Sequence, residues 1–326
     1  MIAAAAVVTR WLLFSALLVL FGASLFLRQG LPGQRAGTTA ERWPWHLLLG
    51  ATAIALLASI LWLMAKTASL SGEGADAVRW SVLWAVVTAT HFGLIGAMRI
   101  LVLAWVMLGL LWHRTRLAKP AAAAPVVLSA LLVASFGWTG HGAMDEGWAG
   151  ALHLGADVLH LLAAGAWIGA LVPLTVLVLR ARDGAAQSAR TLHHALERFS
   201  GVGPAIVALI IATGLINTWF LVGPGHWREL FVSGYGQVLC AKLALFVLML
   251  LLAAANRWRL DPRLGAALGI GAAGDDTTPL AAATPAAALP AALRQLRASL
   301  LTETALALLV VAAVALLGTL APPVSG

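Results

Sequence analysis

The chain of 326 residues is 61% hydrophobic and only 10% charged, with a formal net charge of +8 at pH 7. Soluble globular proteins carry about 25% charged residues, so this composition excludes an ordinary water-exposed surface. The single cysteine, Cys240, excludes an intramolecular disulfide. The apolar residues fall in runs long enough to cross a hydrocarbon layer of about 30 Å. Because open sheets leave backbone groups unpaired in lipid, we expect an all-α polytopic membrane helix bundle.

Eight apolar runs predict about eight transmembrane helices within a single membrane domain. In chain order they cover 10–27, 45–66, 88–112, 121–139, 155–179, 200–222, 237–256 and 301–320. The first four form one predicted half, 1–139, and the last four form a second half, 140–326. Between helices, 67–87 is expected to lie along the membrane surface as a short amphipathic element. The Ala-, Gly- and Pro-rich stretch 265–292 is expected to be a flexible cytoplasmic linker.

The basic residues predict how these helices are oriented. Most of the Lys and Arg residues follow the first, third, fifth and seventh predicted helices, and the opposite connections hold few. Because cytoplasmic loops carry the excess of Lys and Arg, both termini are expected outside the cytoplasm. The scatter of these residues between apolar runs also argues against a nucleic-acid partner; the lipid bilayer is the expected surroundings.

The two halves resemble each other along one stretch. HFGLIGAMRILVLAWVM at 91–107 aligns with GYGQVLCAKLALFVLML at 234–250, so that Arg99 meets Lys242. In transporters, such repeats often frame a binding site at their interface. Apolar helices also align with one another by chance, so both a true repeat and an accidental likeness stay open.

Polar side chains that suit metal binding cluster around the start of the fifth predicted helix. A helix turns about 100° per residue, so His153, Asp157 and His160 share one face. Imidazole and carboxylate suit Cu(II) or zinc, and imidazole with a thioether suits Cu(I). His141 and Met144, in the preceding loop, supply that second pair. With one further histidine on the same side of the membrane, the candidate metal ligands are His91, His141, Met144, His153, Asp157 and His160.

The helical spacing limits how a single ion can be held. His153 and His160 are separated by about 10.5 Å along a helix axis, whereas metal–nitrogen bonds are about 2.0–2.1 Å long. Three arrangements stay open: Asp157 chelating with one histidine, two weak sites in series, and Asp157 orienting a ligating imidazole. A purely structural role is the alternative to all three, since histidines of membrane helices also hydrogen-bond neighbouring helices.

Other polar residues at membrane depth are expected to have structural roles. Arg99 and Lys242 are expected to neutralise a carboxylate, such as that of the predicted metal site. Glu303 is expected to pair with a basic residue near the start of the last helix, although an inner gate is the alternative. His193 and His194 flank a basic connection and are expected to be solvated loop residues.

Several motifs beyond residue 139 carry a family resemblance. They are HxxxDxxHxxxAxxWxG from His153 to Gly169, RFSGVG at 198–203, TGLINTW at 213–219, SGYGQVLCAKLALF at 233–246, AANRWRLDP at 254–262 and RASLLTE at 297–303. Together they resemble the CopD family of bacterial inner-membrane copper-resistance proteins, and the first four helices match it more loosely. The resemblance implies copper handling at the inner membrane, commonly beside a periplasmic copper-binding protein, CopC. Such a partner is expected to be a separate chain.

Three functions are consistent with these observations, and none of them is enzymatic. The favoured hypothesis is copper translocation: His141 and Met144 capture the ion at the periplasmic face, and the helical histidines pass it toward the cytoplasm. Copper, as Cu(I) or Cu(II), is then substrate or ligand. The alternatives are a b-type haem protein that transfers electrons, and a non-transporting scaffold or sensor that docks a copper carrier. The sequence contains no P-loop motif, so nothing in it indicates that ATP drives transport.

Overall fold

The structure, a computed structural model, describes residues 2–28, 42–115, 123–139, 147–181, 186–223, 225–226, 228–270 and 285–323. Its helices are α1 (Ile2–Arg28), α2 (Trp43–Ser71), α3 (Trp80–Ala89), α4 (His91–Thr115), α5 (Ala123–Ala134), α6 (Gly147–Arg180), α7 (Ala186–Leu221), α8 (Glu229–Val232), α9 (Gly234–Ala255), α10 (Asp261–Ala267) and α11 (Pro285–Leu317). Short 3₁₀ helices cover Gly74–Val78 and Gly137–Thr139, and a π-helix, Asn256–Leu260, joins α9 to α10. These residues contain no strand, so the all-α prediction is confirmed.

Seven helices in the described chain are long and apolar enough to cross a membrane. They are Ala4–Arg28, Trp43–Ser71, His91–Trp112, Gly147–Arg180, Ala186–Leu221, Gly234–Ala267 and Ala288–Leu317. The fourth predicted helix, 121–139, corresponds to a shorter apolar segment, Ala123–Thr139, in which α5 is followed by a 3₁₀ turn. The predicted polytopic bundle is therefore confirmed, with seven long helices and one short one where eight were expected.

The start of α7 differs from its predicted boundary by more than three helical turns. The sequence predicted a connection up to residue 199, whereas α7 begins at Ala186. In this added stretch Ala189, Leu192 and Leu196 are buried and recur at intervals of three and four residues. The segment is polar enough to resemble a loop, but it forms a helix because this apolar stripe packs against the bundle.

The predicted linker 265–292 is shorter than expected at both ends. Its first residues complete α10 and the turn that follows, and α11 already begins at Pro285. Proline is tolerated at the first position of a helix, and alanine has the highest helix propensity. The alanines after Pro285 therefore extend α11, while 271–284 lie outside the described residues.

The predicted amphipathic element 67–87 is divided among three helical pieces. α2 continues to Ser71, and a 3₁₀ helix and α3 follow it. Trp80 and Trp84 of α3 are exposed and stack on each other with ring centroids 5.9 Å apart. Exposed tryptophans of this kind are enriched at membrane–water interfaces.

α1 is a central helix of the bundle and packs against α2, α5, α6 and α11. Leu13 and Leu17 of α1 are fully buried. At the crossing with α6, a methyl group on Gly22 would overlap the carbonyl oxygen of Gly165 and the Cα of Gly169. Small residues let membrane helices approach this closely. The crossing therefore holds α1 directly against the helix that carries the predicted metal ligands.

α4 and α9, the two helices of the suggested repeat, begin in the same way. Each follows a short helix and one extended residue. Thr90 Oγ1 accepts a hydrogen bond from Gly93 N at 2.9 Å, and Ser233 Oγ accepts one from Gly236 N at 3.0 Å. A side chain on either glycine would overlap the backbone of the preceding short helix. These shared features are those a repeat would produce, and the repeat itself stays a prediction.

Candidate functional site

A cavity of about 190 Å³ lies toward the end of the bundle at which α6 and α9 begin. His153, Asp157 and His160 of α6 line it together. Polar residues from three other helices also line it: Arg10, Asn217, Thr218, Tyr235 and Lys242. We call this space the histidine cavity. Since a water molecule occupies about 30 Å³, the cavity has room for several waters or a small ion with part of its hydration shell.

His160 is held in one orientation by α7. Its Nδ1 lies 3.2 Å from the carbonyl oxygen of Ile210 and 3.1 Å from Thr213 Oγ1. The Thr213 hydroxyl itself donates to Leu209 O at 2.6 Å, so both partners of His160 Nδ1 act as acceptors. We therefore assign the proton of the neutral imidazole to Nδ1, which leaves a lone pair on Nε2. This is the tautomer in which Nε2 can bind a metal ion.

His153 and Asp157 also lie between α6 and α7. His153 is buried, and its ring stacks on Phe220 with centroids 4.6 Å apart and planes 6° apart. Asn217 Nδ2 donates to Asp157 Oδ1 over a long distance of 3.5 Å. No group of three or more His, Cys, Asp or Glu in the described chain is arranged to hold a metal ion. The three residues thus share a cavity without forming a complete metal site, in line with their spacing on the helix.

Of the other three candidate ligands, the structure describes only His91. His91 lies exposed at the start of α4 and is not among the residues that line the cavity. His141 and Met144 lie outside the described residues. Their proposed role in capturing copper stays a prediction.

The two cationic residues expected to neutralise a carboxylate have different positions. Lys242 lines the histidine cavity with Asp157. Arg99 instead donates from Nε to Ser135 Oγ at 2.7 Å and from Nη2 to Ser135 O at 2.8 Å. For Arg99 the prediction is wrong, because Ser135, directly after α5, supplies uncharged acceptors for two of its three guanidinium nitrogens.

Arg10 is a cavity residue that we did not single out from the sequence. It lies in α1, and its guanidinium rests against Gly318 near the end of α11, where a side chain would overlap it. The signal was present, because a charged residue inside an apolar run is costly and usually functional. Its nearness to the start of the chain made it resemble a flanking charge.

A second polar cluster lies between α6, the π-helix and α11. Glu303 is 2% exposed. Its Oε1 accepts a hydrogen bond from Trp167 Nε1 at 3.2 Å, and its Oε2 accepts one from Asn256 Nδ2 at 2.9 Å. We call these three residues the Glu303 cluster. The expected pairing with a basic residue is wrong, since two uncharged donors satisfy the carboxylate within the bundle.

His193 is also placed differently from the prediction. It is 5% exposed, and its Nδ1 lies 2.7 Å from Asp261 Oδ1, so it joins α7 to α10. Its neighbour His194 is exposed and contacts Glu197 Oε2 at 3.2 Å. The expectation of a solvated loop residue is therefore wrong for His193. The helical start of α7 turns it toward the bundle.

Comparison with known proteins gives two family matches and several relatives. Residues 1–151 match the family described as "Copper resistance protein D-like, N-terminal domain", and 193–317 match "Copper resistance protein D". Copper resistance protein D of Pseudomonas syringae pv. tomato is 35% identical over 323 residues, which cover 97% of this chain and 96% of that protein. No solved structure matches the chain significantly.

Two further relatives show lower identity or cover less of the chain. Inner membrane protein YebZ of Escherichia coli (strain K12) is 28% identical over 263 residues, or 78% of this chain and 84% of that protein. Copper transport protein CutJ of Bacillus subtilis (strain 168) is 34% identical over 133 residues, or 40% of this chain and 23% of that protein. The resemblance carried by the motifs is confirmed: the chain belongs to the copper resistance protein D (CopD) family and is a multi-pass membrane protein.

Proposed function

We propose that the protein binds copper in the histidine cavity and carries it across the bacterial inner membrane toward the cytoplasm. The observation that carries this proposal is the orientation of His160, whose Nδ1 is engaged by α7 and whose Nε2 is left for a metal ion. His153 and Asp157 line the same cavity and supply further donor atoms. Imidazole and carboxylate are suitable ligands for copper. A relative named for copper transport adds support.

The charge distribution supports the direction of movement. The histidine cavity lies at the end of the bundle whose connections hold few basic residues. By the positive-inside rule this end faces away from the cytoplasm, with both termini on the same side. Copper then reaches the cavity from the periplasm. We propose that His141 and Met144 capture it there and that a separate CopC-type protein delivers it.

Polar groups beyond the cavity support passage toward the opposite end. His193, with Asp261 as its partner, lies toward the other end of α7. The stretch of α7 from His193 to Thr213 is about 30 Å long at 1.5 Å per residue. This length is comparable to the thickness of the hydrocarbon core of a bilayer, so a route from the cavity to His193 would cross most of that core.

Radiocopper uptake by proteoliposomes tests the proposal. We expect uptake by the wild-type protein and its loss in His160→Ala, because this variant removes the oriented imidazole. His226→Ala is the matched control, since His226 is exposed and does not line the cavity. Uptake that is equal in wild type and His160→Ala would contradict the proposal. Copper-dependent docking of a carrier without flux would favour the scaffold hypothesis, and a Soret band would favour the haem protein.

A further inference from the structure

The histidine cavity carries an excess of positive charge. Arg10 and Lys242 both line it, while Asp157 is the one carboxylate among the described residues of its lining. Arg10 Nε is buried without a hydrogen-bond partner. Within the described chain, no hydrogen bond or ion pair joins Lys242 to another residue. Two cationic side chains therefore meet one carboxylate in the same cavity.

A third cation lies directly behind the cavity wall. Phe14 and Phe136 line the cavity and stack on each other with ring centroids 3.7 Å apart. The Arg10 guanidinium lies 5.3 Å from the centroid of Phe14, and that of Arg99 lies 4.3 Å from the centroid of Phe136. The hydrogen bonds of Arg99 go to uncharged groups, and its Nη1 is buried without a partner. Its charge therefore adds to the positive potential of the cavity.

Such an imbalance is costly at membrane depth. Removing a charge from water costs several kcal/mol unless an opposite charge or hydrogen bonds compensate for it. A copper ion alone would increase the imbalance. An anion would reduce it and would also give Arg10 and Lys242 the acceptor they lack.

We propose that the histidine cavity binds a small monovalent anion, of the size of a halide, between Arg10 and Lys242. Charge-assisted hydrogen bonds from these two side chains would hold the anion. Tyr235, which also lines the cavity, offers a hydroxyl as a third donor. The anion site deepens the proposed copper function, and its role beside copper rests on that function. An anion beside the histidines offsets the charge of an arriving copper ion, so that copper is bound together with its counter-ion.

Radiochloride binding to the full-length, copper-free protein in lipid nanodiscs tests the anion site. The background salt is gluconate at constant ionic strength. We expect saturable binding by the wild type, and binding at least about tenfold weaker in Arg10→Gln and Lys242→Gln, because each variant removes a charged donor. Lys242→Arg should retain binding because it keeps the charge. Arg263→Gln is the control, since Arg263 bonds to Gln295 away from the cavity.

Asp157→Asn is expected to change chloride affinity in the opposite direction from the Arg10 and Lys242 variants. It therefore stays informative if those variants fold poorly. Removing the carboxylate should strengthen chloride binding and weaken copper binding. The inference is overturned if the wild type shows no saturable chloride binding, or if both cation variants bind chloride as tightly as the wild type does. Because this assay contains no copper, its failure leaves the transport proposal standing, and a failure of copper uptake leaves the anion site standing.

Discussion

The histidine cavity and the Glu303 cluster are both built from polar side chains at membrane depth, and α6 contributes to both. They differ in how well their charged side chains are paired. Each carboxylate oxygen of Glu303 accepts a hydrogen bond, at 3.2 Å and 2.9 Å. In the cavity, Asp157 has one long contact of 3.5 Å, and Arg10 Nε is buried without a partner. A buried amide oxygen without a partner occurs in both regions: Asn217 Oδ1 in the cavity and Asn256 Oδ1 in the cluster.

This difference separates a structural polar site from a binding site. A buried polar group costs free energy unless it is hydrogen-bonded, so most such groups in proteins are paired. Glu303 meets this requirement with residues of the chain and thereby joins three segments of the bundle. The cavity residues meet it incompletely, as expected where a ligand supplies the remaining contacts. The comparison leads to three predictions, from the largest expected effect to the smallest.

The first prediction concerns the Glu303 cluster. Glu303→Ala leaves the indole of Trp167 and the amide of Asn256 as buried donors without acceptors. At about 1–3 kcal/mol for each unsatisfied group, we expect the free energy of unfolding to fall by about 2–6 kcal/mol. Glu303→Gln keeps one acceptor oxygen and should lose less. Unfolding in mixed micelles measures both, and an unchanged stability in Glu303→Ala would contradict a structural role.

The second prediction concerns the histidines of the cavity. His153→Ala/His160→Ala should weaken copper binding by on the order of a hundredfold or more, because loss of even the partners of ligands costs about 10–100-fold. Competition with a calibrated copper chelator measures this affinity. The loss of unfolding free energy should be smaller than in Glu303→Ala, and the affinity of Glu303→Ala should stay near that of the wild type. The distinction between the two regions would be contradicted if Glu303→Ala lost copper affinity and the double histidine variant lost mainly stability.

The third prediction sharpens the role of α7 in orienting His160. Thr213→Val keeps the size of the side chain but removes one of the two acceptors of His160 Nδ1, while the Ile210 carbonyl remains. We expect copper affinity to fall by no more than about tenfold, which is the lower end of the loss seen when a hydrogen-bond partner of a metal ligand is removed. The free energy of unfolding should fall by about 0.6 kcal/mol, which is the average contribution of a hydrogen bond between membrane helices. A loss as large as that of the histidine variant would show that Thr213 does more than orient the ring.

The sequence predicted the central part of the candidate site but not its surroundings. The rotation of a helix placed His153, Asp157 and His160 on one face, and they do line one cavity. The sequence did not predict Arg10 as a cavity residue. It reaches the cavity from another helix, at a position more than a hundred residues earlier in the chain. Arg99 was assigned a wrong kind of partner for the same reason: spacing along one helix does not specify which side chains of another helix lie opposite. His193 was expected to be solvated because the helical start of α7 was not predicted.

Local patterns in the sequence therefore determined the class of the protein, its long apolar helices and the face shared by the three candidate ligands. These features depend on composition and helical periodicity, which act over a few residues. Tertiary structure alone decided that α7 engages His160 Nδ1, that Trp167 and Asn256 satisfy Glu303, and that the cavity gathers more cations than carboxylates. These depend on how helices pack, and packing at glycines such as Gly22 is set by contacts between distant parts of the chain.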